Sequence, residues 1–162
     1  MTTTAEIKGI LEAVTDPEIP VLTIGDMGII RDIIIHEDES IEVIITPTYS
    51  GCPAMDMIEV NIKAALQEKG LSPVKVTSVI SPAWTTDWIS QEGLRKLKEY
   101  GIAPPVAGTV DKGELFAEAV QVECPHCGSD HTKMISQFGS TPCKAQYQCL
   151  DCLEPFDYFK CH

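Results

Sequence analysis

A chain of 162 residues, 44% hydrophobic and 22% charged, has globular composition and room for one full domain plus a small module, which argues against intrinsic disorder. Its 24 acidic against 12 basic side chains give a formal net charge of -12 with no offsetting Lys/Arg stripe, which argues against nucleic acid as a partner. No apolar run approaches the roughly 18 residues that span a bilayer, and the N-terminus lacks a basic-then-apolar leader, so a cytoplasmic, non-membrane protein is expected.

Thr3 and Glu6 stand at capping-box spacing, and Ile7, Ile10, Leu11 and Val14 follow as one helical face. The spacing predicts an amphipathic helix ended by Asp16-Pro17, because the residue before proline avoids helical geometry. Residues 17–27 read as a loop. Two β-branched runs, 28–36 and 41–47, flank the acidic turn Glu37-Asp38-Glu39-Ser40 and predict a β-hairpin. Pro53 suits a first helical position and Gly70 a helix end, which sets a helix over 53–69. Val74, Val76 and Ile80 predict a strand over 74–80, and Leu94 and Leu97 a helix over 90–100. Between them, Trp84 and Trp88 in an irregular loop read as packing anchors rather than a stacking platform. Gly101-Ile-Ala-Pro-Pro opens a linker, and the remainder reads as short strands broken by Cys-rich turns. The expected fold is α+β: a small α/β domain of three or four strands and two or three helices over 1–102, a linker over 103–118, and a β-ribbon over 119–162.

Seven cysteines in a chain without an export signal point to metal and thiol chemistry rather than a disulfide framework. Cys124-Pro-His-Cys127 and Cys149-Leu-Asp-Cys152 are two CxxC turns, each placing two thiolates on one side of a tight loop. Together they complete a tetrahedron around one structural zinc, with Lys133–Phe138 and Lys144–Gln148 as the hairpin between them. A redox CxxC of the thioredoxin kind is the competing reading, but that motif occurs once, between a strand and a helix. Four thiolates do not choose the metal, so iron stays open. Cys143, and Cys161 before His162, read as spare ligands, as a second, labile site with His131 or His126, or as packed or exposed thiols without a role.

Cys52 sits before Pro53 at the start of a helix, where free N–H groups favour a thiolate. It reads either as a reactive thiol or transient iron or cluster ligand, or as a small half-buried cysteine. Thr46, Thr48, Tyr49 and Ser50 surround it with hydroxyl groups. Asp16, Glu18 and Asp26 place three carboxylates in one loop, available to a hard cation or to general acid–base work. The plainer reading has them capping turns.

Asp16-Pro-Glu-Ile-Pro20, Ile24-Gly-Asp-Met-Gly-Ile-Ile30, Thr46-Pro-Thr-Tyr-Ser-Gly-Cys-Pro53 and Ser81-Pro-Ala-Trp-Thr-Thr-Asp-Trp88 together resemble one α/β domain. It is the iron–sulfur cluster assembly domain of bacterial SufT and of a eukaryotic cytosolic cluster-targeting factor. With the ribbon added, the chain resembles the D-subunit family of phenylacetyl-CoA epoxidase. That system is a multicomponent di-iron monooxygenase of aerobic phenylacetate degradation, fed by a flavin and iron–sulfur reductase. The resemblance implies an accessory or maturation protein whose functional thiol is Cys52, supported by Asp16, Glu18, Asp26, Thr46 and Ser50. It implies structural zinc on Cys124, Cys127, Cys149 and Cys152, and iron or an iron–sulfur cluster in transit at Cys52. The implied partners are the other epoxidase components, the iron–sulfur reductase subunit first among them, with a homodimer left open.

Two rival functions stand beside maturation. One is a non-catalytic structural subunit bridging the epoxidase components. The other is an enzyme with Cys52 as nucleophile, which the sequence disfavours because no histidine sits in a partnering position and no nucleotide or nucleophile motif is present.

Overall fold

The computed structural model describes residues 1–48, 52–105, 121–141 and 143–159. The greater part of the expected linker over 103–118, together with Tyr49, Ser50, Cys161 and His162, lies outside them. Two compact units divide the chain, Met1–Gly93 and Leu94–His162. Among the described residues no helix is long and apolar enough to cross a membrane.

Helix α1 (Thr4–Leu11) opens with the reciprocal cap that its sequence encodes. The Glu6 N–H donates to Thr3 Oγ1 at 3.2 Å, and the Thr3 N–H donates to Glu6 Oε2 at 2.8 Å. Ile7 and Leu11 are fully buried. The helix ends before Asp16-Pro17, not at it. The N–H groups of Ala13 and Val14 donate three residues back, to Ile10 at 3.3 Å and Leu11 at 3.0 Å, which tightens and closes the last turn. The chain then bridges Thr15 to Thr23.

Strands β1 (Ile30–Ile35) and β2 (Ile41–Ile45) form the expected antiparallel hairpin. Glu39 takes a left-handed φ of 65° at its turn. Strand β3 (Val74–Ser78) pairs parallel to β2, giving the order β1-β2-β3. Parallel pairing needs a crossover, and helix α2 (Ala54–Glu68) supplies it. Its Ile58, Ile62 and Leu66, spaced four apart, are fully buried, as are Val43 and Ile45 of β2. The opposite sheet face carries Glu42. Its Oε1 accepts from the Thr77 hydroxyl at 2.5 Å and faces Lys75 Nζ at 3.4 Å, while Oε2 faces His36 Nε2 at 3.3 Å.

The loop before β1 is held by the loop that carries both tryptophans. Trp84 Nε1 donates to the Met27 carbonyl at 2.7 Å. Arg31 lies 3.9 Å over the Trp88 ring, and Thr86–Trp88 form a short 3-10 turn. Both tryptophans therefore act as packing anchors. Helix α3 (Gln91–Glu99) carries the division between the units in its first turn.

The second unit holds four strands in the order β4-β7-β6-β5. Strands β5 (Thr132–Ser136) and β6 (Lys144–Cys149) make the antiparallel hairpin that the sequence predicts, and β7 (Pro155–Phe159) extends it. The two-residue strand β4 (Ile102–Ala103) pairs parallel to β7. Those two residues read as the mouth of a linker in the sequence.

Gly28 and Gly70 both have left-handed backbone, with φ of 69° and 76°. A Cβ at Gly28 would lie 2.5 Å from the Trp88 carbonyl oxygen, whereas at Gly70 nothing lies within 4 Å. Gly70→Ala should therefore cost only the conformational strain, about 1 kcal/mol. Gly28→Ala should cost at least twice that by urea denaturation, and equal losses would show the loop free to give way. A second expectation concerns acid. The Thr77 hydroxyl, then Lys75 and His36, hold the Glu42 carboxyl below its ordinary value. A folded-state value that is depressed contributes stability above the unfolded one and loses it as pH falls. Glu42→Gln should flatten the acid limb of the stability profile below about pH 4.5 and leave its alkaline side unchanged.

Candidate metal centre and thiol loop

The two CxxC turns are built alike. The Cys124 N–H donates to the Ser129 carbonyl at 2.9 Å and the Cys149 N–H to the Glu154 carbonyl at 3.0 Å, each five residues on. The residue after the second cysteine takes left-handed backbone in both, Gly128 at φ 75° and Leu153 at φ 65°. Glycine adopts that conformation freely and leucine does not, so the second turn carries strain that the first avoids.

These turns bring Cys124, Cys127, Cys149 and Cys152 together, with all four sulfur atoms within 4.8 Å of one another. Cys124 Sγ lies 3.8 Å from Cys152 Sγ, and Cys127 Sγ lies 3.5 Å from Cys149 Sγ. Tetrahedral coordination with metal–sulfur bonds of about 2.3 Å requires sulfur–sulfur separations of about 3.8 Å. The donor set therefore fits a four-coordinate thiophilic cation. Four protein ligands leave no position for substrate or water, so such a centre is closed.

Two of the four sit in the ribbon's core. Cys124 and Cys149 are fully buried beside Tyr147, Phe156 and Tyr158, and Cys152 packs against the same cluster. The Tyr147 ring stacks on Phe156 with centroids 5.8 Å apart and meets Tyr158 edge-on at 5.5 Å. Cys127 is exposed. Backbone N–H groups of Cys152 and Asp151 draw the Cys149 thiol down to about 6. At Cys152 a backbone N–H from Glu154 also pulls down, but burial and the neighbouring thiols outweigh it and leave the group at about 12. A dication needs its sulfur ligands as thiolates, so binding here would release the protons that the thiols carry.

Ser129, His131 and Asp151 form a polar link beside this centre that the sequence reading missed. Their hydrogen bonds hold the Asp151 carboxyl below its usual range, Ser129 contributing most. A serine two places beyond one CxxC unit and an aspartate inside the other were the available signal. Cys143, a spare cysteine in the sequence, is buried with its sulfur 3.0 Å from the Thr141 hydroxyl.

In the first unit, Cys52 is half-buried and lies one residue further from the helix than its sequence suggests, because Pro53 is the cap and α2 starts at Ala54. Asp16 is buried, and its Oδ1 accepts the N–H groups of Glu18 at 2.7 Å and Ile19 at 2.9 Å. Asp26 and Thr23 cap one another: the Asp26 N–H donates to Thr23 Oγ1 at 3.0 Å, and the Thr23 N–H donates to Asp26 Oδ2 at 3.2 Å. The Ser90 hydroxyl also donates to Asp26 Oδ1, at 3.1 Å. This geometry is that of turn caps. Glu18 is half-buried in the same loop. Thr46 is buried, and its hydroxyl finds no hydrogen-bond partner among the described residues. Ser50 lies outside those residues. Among the described residues the four-cysteine cluster is the one group of three or more ligating side chains. Cys52 therefore offers a metal one sulfur, without two further ligands of its own unit among those residues.

Comparison with known proteins follows the same division. Residues 4–79 match the iron–sulfur cluster assembly protein family, and residues 109–160 match the PaaD zinc beta ribbon domain. An Escherichia coli (strain K12) protein provisionally named as the D-subunit of 1,2-phenylacetyl-CoA epoxidase is 49% identical over 156 residues, which are 96% of this chain and 92% of that protein. An Fe-S protein maturation auxiliary factor of Porphyromonas gingivalis is 33% identical over 96 residues, 59% of this chain and 90% of that one. A solved domain of unknown function from Bacillus anthracis superposes with a TM-score of 0.54 at 26% identity, covering 57% of this chain and 89% of its own.

The strained turn at Leu153 gives a direct test of the paired geometry. Leu153 is 66% exposed, so its side chain contributes little packing. Leu153→Gly should raise the stability of the metal-loaded ribbon by about 1 kcal/mol, read from its thermal midpoint. A lowered midpoint would mean that the leucine packs in a way its exposure does not reveal.

Proposed function

The chain belongs to the phenylacetyl-CoA epoxidase D-subunit family, and we propose that it is a cytoplasmic maturation factor that assists iron–sulfur or iron-centre assembly in a component of that system. The observation that carries this reading is the position of Cys52. It is a half-buried thiol beside the start of α2, in a domain whose relatives are named as iron–sulfur maturation factors. A single thiolate binds a soft metal or cluster weakly and gives it up readily. Among the described residues no three-ligand group includes Cys52, so retention would draw on sulfur from a second chain, either the client or another copy of this one. Asp16 and Asp26 hold the neighbouring loop in shape, and Thr46 and Ser50 are hydroxyl groups close to Cys52 in sequence.

The ribbon takes zinc on Cys124, Cys127, Cys149 and Cys152, and its part is structural. A closed four-thiolate site supplies folding energy rather than chemistry, and a module this small needs it. The ribbon then serves as a docking element. The client that best suits a cluster donor is the iron–sulfur reductase subunit, because it carries the cluster.

A second reading, a non-catalytic subunit bridging the epoxidase components, draws support from the closed metal centre and from the name of the Escherichia coli relative. One experiment separates the two. The epoxidase and reductase subunits are purified after co-expression with the wild-type chain, with Cys52→Ser, or without the chain, and their iron and labile sulfide are measured. Maturation predicts that loading of one client falls in the absence of the chain and is not restored by Cys52→Ser. Full loading with Cys52→Ser would remove the thiol mechanism. Full loading without any chain would leave the bridging role.

A further inference from the structure

The two halves of the metal centre reach it from distant parts of the chain, so something must set one against the other. One tie is backbone: the Leu150 N–H donates to the His131 carbonyl at 2.7 Å. The second is made of side chains. The Ser129 hydroxyl donates to Asp151 Oδ2. The same hydroxyl oxygen accepts the His131 N–H at 3.1 Å, and His131 Nδ1 lies 3.3 Å from Asp151 Oδ2. Ser129 stands two residues after Cys127. Asp151 lies between Cys149 and Cys152, in the turn whose Cys152 N–H donates to the Cys149 sulfur at 3.4 Å. Each end of the side-chain tie therefore stands within two residues of a cysteine of the centre.

We propose that Ser129, Asp151 and His131 are positioning residues that latch the first CxxC turn to the second and so set how long the centre keeps its metal. Groups that orient ligands tune metal affinity, typically by ten- to a hundredfold. Water competes at this site, since His131 is 75% and Asp151 54% exposed, which places the expected effect at the lower end of that range. The latch matters most for dissociation. A thiolate that leaves the metal recombines quickly if its turn stays in place, and drifts away if the turn is free to swing.

The inference rests on the metal reading of the four-cysteine centre, and the test keeps the two apart. The full chain is loaded with zinc and challenged with an excess of a chelating dye, whose absorbance reports metal release. Ser129→Ala and Asp151→Ala should each release zinc about tenfold faster than wild type. The double variant should be no faster than the faster single one, because both remove one latch. Ser129→Thr, which keeps the hydroxyl, should stay near wild type, an outcome that general loosening of the ribbon would not give. Cobalt-loaded forms should retain the ligand-field bands of a tetrahedral tetrathiolate in every variant, showing the ligand set unchanged. If either alanine variant fails to fold, His131→Ala decides, since that side chain can be removed without touching the core. It should release zinc about threefold faster. Wild-type release rates in the variants would overturn the latch while leaving the metal centre intact. A wild-type chain that holds no zinc would overturn the metal reading and the latch with it.

Discussion

Four sulfur atoms inside a 4.8 Å cluster set the terms for the whole ribbon. Without a cation they repel as thiolates or compete for hydrogen bonds as thiols, and two of them lie where water does not reach. The surrounding core is thin, with Tyr147, Phe156 and Tyr158 as the large side chains of that cluster. A sheet of four short strands cannot offset the loss of chain entropy on apolar burial alone at this size. Coordination converts the least favourable feature of the module into its organising one. Both turns that carry the ligands, with the β5–β6 hairpin running from one to the other, serve that requirement.

The first unit rests on a different constraint. Its sheet and two helices form around Ile58, Ile62, Leu66 and Val43, an ordinary apolar core that needs no metal. The unusual part is the long loop before β1, which has little regular hydrogen bonding and must satisfy its polar groups individually. Asp16, Thr23 and Asp26 do so through caps, and Trp84 adds a buried tie to the Met27 carbonyl. Asp16 and Asp26, which look catalytic in the sequence, are here occupied with backbone N–H groups. Cys52, by contrast, is a free, half-buried thiol beside the start of α2.

Signals that are local in sequence were legible. Thr3 and Glu6 announce a capping box, the alternation around Ile41, Val43 and Ile45 announces a strand, and the CxxC pairs announce their own convergence. Pairings between distant segments were not. Ile102 and Ala103 form a strand only because β7 offers them an edge, and two residues carry no period to detect. The parallel partner of β3 was hidden for the same reason, since alternation marks a strand but not its neighbour. Helix α1 ended early because backbone bonds of the 3-10 kind closed it before the proline could. Ser129 and Asp151 each look like turn residues alone, and they become a pair only when both turns are in place.

The two sulfur sites therefore differ in what they permit. The ribbon centre gathers four ligands from one chain and leaves a bound metal no open position. Cys52 gathers no such set among the described residues, and one sulfur cannot saturate a cluster whose irons each need further anchoring. A factor that bound its cargo through a complete internal set would compete with the client it serves. A factor with a single thiolate binds well only when a second chain supplies the remaining ligands, so that affinity rises on docking and falls on release. On the proposed function, separating a structural metal from an incomplete thiol would let the same chain be stable throughout and a strong binder only in contact with its client.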